Sequence, residues 1–407
     1  MILRIKDYTT KVGSGVTPRG GAETYLNEGI PLFRSQNVTN DGFLMDDIAY
    51  ISEEVDEAMK GTRIKPGDVL LNITGASIGR CYFTSDNFKR GNVNQHVCII
   101  RPRKNKVNPC YLHYCLISSI GQQQIDLTQT GANREGLAVE DIKGFVFDIP
   151  PISDQKRIVD YLDSKISLID ERIEILEKQQ DAYSRLKKSL VHQTVTRGLN
   201  PNVPFKNSGI EWIGMIPHNW DVKRFKEFAR TTKGKQCDYY DTLGNNMEVV
   251  LTVETLRQDL PSFYNYGIVV DKRQLCDESD IVVIWDGAGV GEFLKAKKGL
   301  LSSTIARIDV NTHKVLKEYL WLWRYNIEYQ LKRIPTGMGI PHLNPTILNN
   351  YLIPIPPLPE QQAIAIYLDD KCSKIDAAIE NIGKQIDALK RLKRALINEL
   401  ITGQRAV

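Results

Sequence analysis

The chain has 407 residues, 42% hydrophobic and 25% charged, with seven cysteines and a formal net charge of +4. That length predicts two to three domains, and the composition is that of an ordinary globular chain. The mild basic balance is compatible with nucleic acid without requiring it. No apolar run reaches the roughly 18 residues of a membrane span, and Met1-Ile2-Leu3-Arg4-Ile5-Lys6 lacks a signal-peptide pattern. Cysteines in odd number and without framework spacing are expected as reduced thiols, which places the chain in the cytoplasm.

Residues 1–150 read as a mixed domain of many short strands. Gly13 to Gly21 is a loop by composition, and Ile30 to Val38 is a strand ending in polar side chains. Val69-Leu70-Leu71-Asn72-Ile73 is a strand running into the turn Thr74-Gly75-Ala76-Ser77-Ile78-Gly79. Asn94-Gln95-His96 is the polar entrance of another strand, Pro109 opens a helix expected to run through about Gln124, and Thr130 to Arg134 is a loop.

Residues 151–200 form a long helix. Behind Pro150-Pro151 the seam positions step by four, then three: Leu162, Ile166, Ile169, Ile173 and Leu176, continuing through Gln180, Tyr183 and Lys187 to Leu190. About four heptads of that period describe a coiled-coil seam. Residues 201–220 are a linker by their Pro and Asn content, and Trp212 and Trp220 are expected to anchor it to a neighbour. Residues 221–356 form a second mixed domain, and 357–407 a second long helix with its seam at Leu368, Cys372, Ile375, Ile379, Ile382 and Ile386.

The two halves are a duplication. Ile149-Pro150-Pro151 returns as Ile355-Pro356-Pro357, and Tyr161-Leu162-Asp163 as Tyr367-Leu368-Asp369, both at an offset of 206. Asp68-Val69-Leu70-Leu71 with Gly75 and Gly79 returns as Asp280-Ile281-Val282-Val283 with Gly287 and Gly291, at an offset of 212. One such helix cannot bury its own seam, so the copies are expected to pack on each other around an internal two-fold, antiparallel. The fold class that follows is α+β: two pseudo-symmetric α+β domains separated by two long antiparallel helices that form a coiled coil. Helices that agree and domains that diverge suggest one shared scaffold carrying two separate readers.

The repeated Pro-Pro, Glu/Asp-Gln and Tyr-Leu-Asp pattern, with Ser208-Gly209-Ile210-Glu211-Trp212-Ile213-Gly214 and Trp220 in the linker, closely resembles the specificity subunit of type I restriction–modification systems. The match covers nearly the whole chain, strongest on helices and linker and weakest inside the domains. It implies that 1–150 and 221–356 are target recognition domains, each reading half of an asymmetric bipartite sequence on double-stranded DNA. It implies helical spacers that dock two methyltransferase subunits, with restriction subunits joining to complete the endonuclease. Many relatives carry a copy of the Glu-Trp-Ile-Gly segment before the first domain as well. Here the first domain starts almost directly at Arg4, which leaves open how that end is tied down.

Such a subunit is expected to lack an active site and to bind no cofactor; S-adenosylmethionine, ATP and Mg2+ would belong to its partners. Asp286-Gly287-Ala288-Gly289-Val290-Gly291 follows a strand, but it is not Gly-x-Gly-x-x-Gly, and its counterpart at Thr74 keeps only part of it. Both Pro-Pro pairs follow isoleucine rather than Asn or Asp, no Pro-Asp dipeptide occurs, and no phosphate-binding Gly-x-x-x-x-Gly-Lys loop is present. Cys110, His113 and Cys115 have metal-like spacing that the second copy does not keep, so a packed helix is the better reading and no metal is expected. A methyltransferase with its own site and a coiled-coil scaffold without nucleic acid are the alternatives; missing catalytic elements weigh against the first, two large divergent domains against the second.

DNA contacts are expected from polar loops, because bases are read by paired donors and acceptors and phosphates by cations and hydroxyls. In the first domain these are Arg34, Ser35, Gln36 and Asn37, then Asn94, Gln95 and His96, then Asn133 and Arg134. In the second they are Lys233, Lys235 and Gln236, then Ser302, Ser303 and Thr304, then His342 and Asn344. The four glycines at 75, 79, 287 and 291 are expected to shape turns.

Overall fold

The structure is a computed structural model, described here for residues 1–128, 136–258, 264–333 and 341–406. It forms two compact units: Met1–Glu177 with Lys384–Val407, and Lys178–Gly383. Each unit therefore takes one domain together with one part of each long helix, Ile152–Arg197 and Leu358–Ile401.

In unit 1 an antiparallel sheet runs in the order Thr9–Ser14, Val97–Pro102, Val69–Asn72, Cys81–Phe83. A second, mixed sheet joins Ala49–Ile51, Ile30–Phe33 and Asn92–Val93. Strand Val69–Asn72 is buried on both faces, and its alternation divides the interior. Val69 and Leu71 pack with the helices, whereas Leu70 packs with Phe33, Val97 and Ile99. Unit 2 repeats the plan: Ile281 and Val283 face the helices, and Val282 faces Leu251, Leu301 and Ile305.

The first residues are held by the sheet they enter. Ile2–Arg4 pairs with Val146–Asp148, and the Met1 ammonium lies on the Asp148 carboxylate. Asp221–Arg224 makes the equivalent pairing with Leu352–Ile355 in unit 2.

Within each unit the helix segments pair antiparallel, as expected from the duplication. In unit 1 Asp170 meets Lys393 and Tyr161 meets Arg405; in unit 2 Lys187 meets Asp376 and Gln180 meets the Ile379 carbonyl. Of the seam positions, Leu162, Ile169, Ile173, Leu176, Leu368, Ile382 and Ile386 are buried, and Ile166, Ile375 and Ile379 are half-buried. Lys187 and Lys393 hold equivalent seam positions in the two helices, and each reaches an aspartate of the opposite helix.

The Pro-Pro motif carries a buried staple. Gln155 accepts from Asn108 N at 2.8 Å and donates to the carbonyls of Lys106 and Pro150. Gln361 repeats this with Leu316 N, Lys314 and Pro356. Both amides are fully buried, so each start of a long helix is tied to the loop that precedes the helix packed beside it.

The linker is anchored within unit 2. Trp220 is fully buried and its indole N–H donates to Glu360 in the first turn of the second long helix, 3.0 Å away. Trp212 keeps 41% of its surface exposed while packing edge-on to Trp323.

One expected helix is two. Pro109–Ile117 stops at Ser118 and Ser119–Thr128 starts afresh. The Ser118 hydroxyl donates back to Cys115 O, and a Cβ on Gly121 would lie 2.3 Å from Leu116 O, so backbone crosses backbone there and a straight helix is impossible. The counterpart Lys317–Arg333 has no such glycine and runs unbroken.

His113 lies inside unit 1, fully buried, and burial pushes its imidazole down to about 4 from an ordinary 6.5. Below pH 6.5 the unfolded chain binds a proton that the folded one does not, so stability falls as the pH drops from 6.5 towards 4. The expected loss reaches about 3 kcal/mol, and urea unfolding at pH 7, 5.5 and 4.5 measures it. In His113→Phe that part of the slope disappears; an unchanged slope would refute the assignment.

Candidate nucleic-acid interface

Both units build the same frame from the ends of their four-stranded sheets. In unit 1 the chain leaves Thr9–Ser14 through Gly15, where a Cβ would lie 2.2 Å from Val93 O. In unit 2 it leaves Ala229–Lys233 through Gly234, where a Cβ would lie 2.0 Å from Ser302 O. Only glycine allows these crossings. The turns after the central strands also match: Gly75, Gly79, Gly287 and Gly291 all have positive φ, and the amides of Gly79 and Gly291 bond back to Asn72 and Ile284.

On that frame unit 1 places two polar groups. In one, Thr74 Oγ1 lies 2.6 Å from His96 Nδ1 and Gln95 Nε2 lies 2.9 Å from His96 Nε2. In the other, Arg34 packs over Tyr25 and bonds to Asp47, which also accepts from Gln36 Nε2 at 2.6 Å. Asn72 joins them, because its amide donates to the carbonyls of Ser35 and Val38 while its strand leads on to Thr74.

Two expected readers are buried by the fold. Asn37 is buried, with its amide spent on Leu44 O and Arg34 N. Asn94 is buried and receives the His96 amide. Arg34 and Ser35 are half-buried, Gln36 and Gln95 are exposed, and Asn133 and Arg134 lie outside the described residues.

Unit 2 gathers its polar side chains around Asp286, the counterpart of Thr74. Asp286 accepts from Lys233 Nζ at 2.8 Å and pairs with His342 Nδ1 at 2.7 Å. Burial opposes its ionisation, but these two partners outweigh that and hold its carboxyl below the usual range. Lys233 also lies 5.8 Å over the Trp285 ring, and Asp286 N bonds to Thr304 O.

Around this group Thr304 is exposed, Ser303 is half-buried, and Ser302 is buried with its hydroxyl 3.0 Å from that of Thr304. Lys235 and Gln236 are exposed, Lys235 lying 3.8 Å from Asp271. Asn344 is a helix cap, accepting from the amides of Thr346 and Ile347. Neither Asp286 nor Thr74 was among the expected readers; their shared position in the repeat, at the offset of 212, is the signal that could have singled them out.

Among the described residues no cluster of three His, Cys, Asp or Glu side chains could hold a metal, and no helix is long and apolar enough to cross a membrane. Cys110 and Cys115 are buried thiols that burial pushes far up, and their helix packs into the interior.

The same two-fold plan is present in known proteins. The model of the type I restriction modification DNA specificity domain matches residues 2–181 and again 217–391. The chain belongs to the type I specificity family. A putative type I restriction enzyme MjaX specificity subunit of Methanocaldococcus jannaschii is 24% identical over 99% of this chain and 93% of its own length. The MjaVIII specificity subunit of the same organism is 33% identical over 46% of this chain, and that alignment spans 43% of the relative. Among solved structures, one described as "Structural basis underlying complex assembly and conformational transition of the type I R-M system" superposes with a TM-score of 0.76 at 16% identity, covering 98% of this chain and 97% of the other. The HsdS subunit from Thermoanaerobacter tengcongensis gives 0.53 at 17% identity, over 100% and 97%. Specificity subunits are the non-catalytic components of type I complexes, and the α+β domains and paired helices of this one follow that fold.

Proposed function

We propose that this specificity subunit reads an asymmetric bipartite sequence on double-stranded DNA. Residues 1–150 would recognise one half and 221–356 the other. The spacers 151–200 and 357–407, with the linker 201–220, would dock two methyltransferase subunits and then restriction subunits, in the cytoplasm.

The observation that carries this reading is the pairing of one frame with two sets of side chains. Gly15 and Gly234 shape the same crossing, yet the neighbouring position is Thr74 with His96 in one unit and Asp286 with Lys233 and His342 in the other. A conserved frame with different donors and acceptors is what two base-reading surfaces need. The readers favoured are Arg34, Gln36, Gln95 and His96 in the first domain and Lys233, Lys235, Gln236, Thr304 and His342 in the second, each of which keeps part of its side chain at the surface. No cofactor is assigned to this chain; S-adenosylmethionine, ATP and Mg2+ would serve its partners.

The test is methylation mapping of host DNA with the chain co-expressed beside its methyltransferase subunit. A split motif with a fixed gap is expected, dependent on this chain. Exchanging residues 1–150 for the matching domain of a relative is expected to change one half of the motif and leave the other. A change in both halves would refute the two-reader assignment.

A further inference from the structure

Lys233 and Asp286 present opposite charges side by side at the end of the four-stranded sheet of unit 2. Lys233 is the last residue of strand Ala229–Lys233, and Asp286 lies just beyond strand Ile281–Ile284. Lys233 Nζ and Asp286 Oδ2 are 2.8 Å apart, with 41% of the lysine side chain and 17% of the aspartate side chain exposed. Both residues are held from behind. The Asp286 amide bonds to Thr304 O, its backbone bridges to His342, and Lys233 lies over the Trp285 ring. Although burial opposes it, His342 and Lys233 keep the Asp286 carboxyl ionised, and a carboxylate can only accept.

Unit 1 places two hydroxyls at these positions. In the strand ladders Ser14, paired with Cys98, stands where Lys233 pairs with Ala306, and the repeat sets Thr74 against Asp286. A hydroxyl donates and accepts alike, whereas Lys233 only donates and Asp286 only accepts. An ion pair this open to water adds little to stability, so holding the fold together gives little reason for it.

A fixed donor beside a fixed acceptor complements the edge of a base pair. In the major groove a G·C pair presents guanine N7 and O6 as acceptors and the cytosine N4 amino group as the donor next to them. O6 and N4 are bonded to each other within the pair, so they stand one hydrogen bond apart, as Lys233 Nζ and Asp286 Oδ2 do. An A·T pair fits worse: a carboxylate on adenine N6 would lie beside the N7 acceptor, and an ammonium on thymine O4 beside the methyl group. Lys233 keeps donors for both guanine atoms, because an ammonium has three and among the described residues Asp286 is its one hydrogen-bond partner.

We propose that Lys233 and Asp286 together read one G·C base pair, the lysine on guanine and the aspartate on cytosine, in the half of the target recognised by residues 221–356. This rests on the bipartite-reading proposal and adds a base pair to it. It also gives an acid a place on a surface facing DNA, since Lys233 offsets its charge against the phosphates.

The experiment is methylation mapping with the full chain and its methyltransferase subunit, comparing the parent with Lys233→Met, Asp286→Asn and Lys233→Arg. The parent motif is expected to hold a G·C pair at which Lys233→Met and Asp286→Asn each lower discrimination about ten-fold, Asp286→Asn admitting adenine because an amide both donates and accepts. Lys233→Arg should keep the guanine, since arginine also meets O6 and N7. The half read by residues 1–150 should stay unchanged. The proposal is overturned if Lys233→Met and Asp286→Asn methylate only the parent motif, or if the relaxed position is an A·T pair or lies in the other half. Loss of all methylation in all three variants overturns it too, because the pair would then be structural. A split motif without relaxation leaves the bipartite reading standing, whereas the absence of any motif dependent on this chain overturns both.

Discussion

Leu162→Asp combined with Leu368→Asp is expected to abolish cooperative unfolding of the chain. Both leucines are fully buried and stand at equivalent seam positions. Leu162 belongs to the unit 1 core with Leu396, Leu400 and Ile401, and Leu368 to the unit 2 core with Val191, Val195 and Trp323. A carboxylate at either place would be desolvated among hydrocarbon with no cation built to meet it. Breaking a buried environment this way costs about 3–5 kcal/mol per site, a large part of the roughly 5–15 kcal/mol that holds a domain together. Each single variant should therefore lower the melting temperature steeply, and the double variant should lose the transition. Leu168→Asp is the control: it lies on the same helix but is 59% exposed, and should change stability by less than about 0.5 kcal/mol. Unaltered thermal unfolding in the double variant would show that these helices do not pack as described.

Gln155→Leu and Gln361→Leu should each destabilise the protein by about 2–4 kcal/mol. Leucine has nearly the same size, so no cavity explains such a loss. The loss comes from three backbone groups per site left without their glutamine partner: Asn108 N with the carbonyls of Lys106 and Pro150, and Leu316 N with those of Lys314 and Pro356. Gln155→Glu is a sharper probe, because a carboxylate can accept from Asn108 N but cannot donate to either carbonyl. Urea unfolding separates the outcomes, and a Leu variant as stable as the parent would mean that the glutamine is a bystander of the Pro-Pro motif.

The duplication, the paired helices and the buried strands were legible because they rest on periodicity, and periodicity survives projection onto one dimension. A step of four and three puts Leu162, Ile169, Ile173 and Leu176 on one stripe whatever surrounds them, and a run such as Val69 to Asn72 can only be a strand with two covered faces. The break at Ser118 was not legible, since Gly121 is demanded by a backbone crossing that lies outside any local pattern.

Polar side chains were the least legible. Asn37, Gln36 and Asn344 look alike as loop residues. The fold spends Asn37 on a buried turn and Asn344 on a helix cap, and leaves Gln36 exposed beside Asp47. Whether an amide faces backbone or water depends on which carbonyls the tertiary fold brings near it, and the sequence records no such distances.

By itself, then, the sequence determined that this protein is a duplicated pair of α+β domains joined to a helical coiled coil, because hydrophobic spacing and repeat offsets follow from local geometry. Only the tertiary structure decided that Asp286 would gather Lys233 and His342, that Gln155 and Gln361 would staple the helix starts, and that Lys393 would meet both Asp170 and Asp41. Those outcomes depend on long-range neighbours within a few ångströms, where a hydrogen bond is either made or lost.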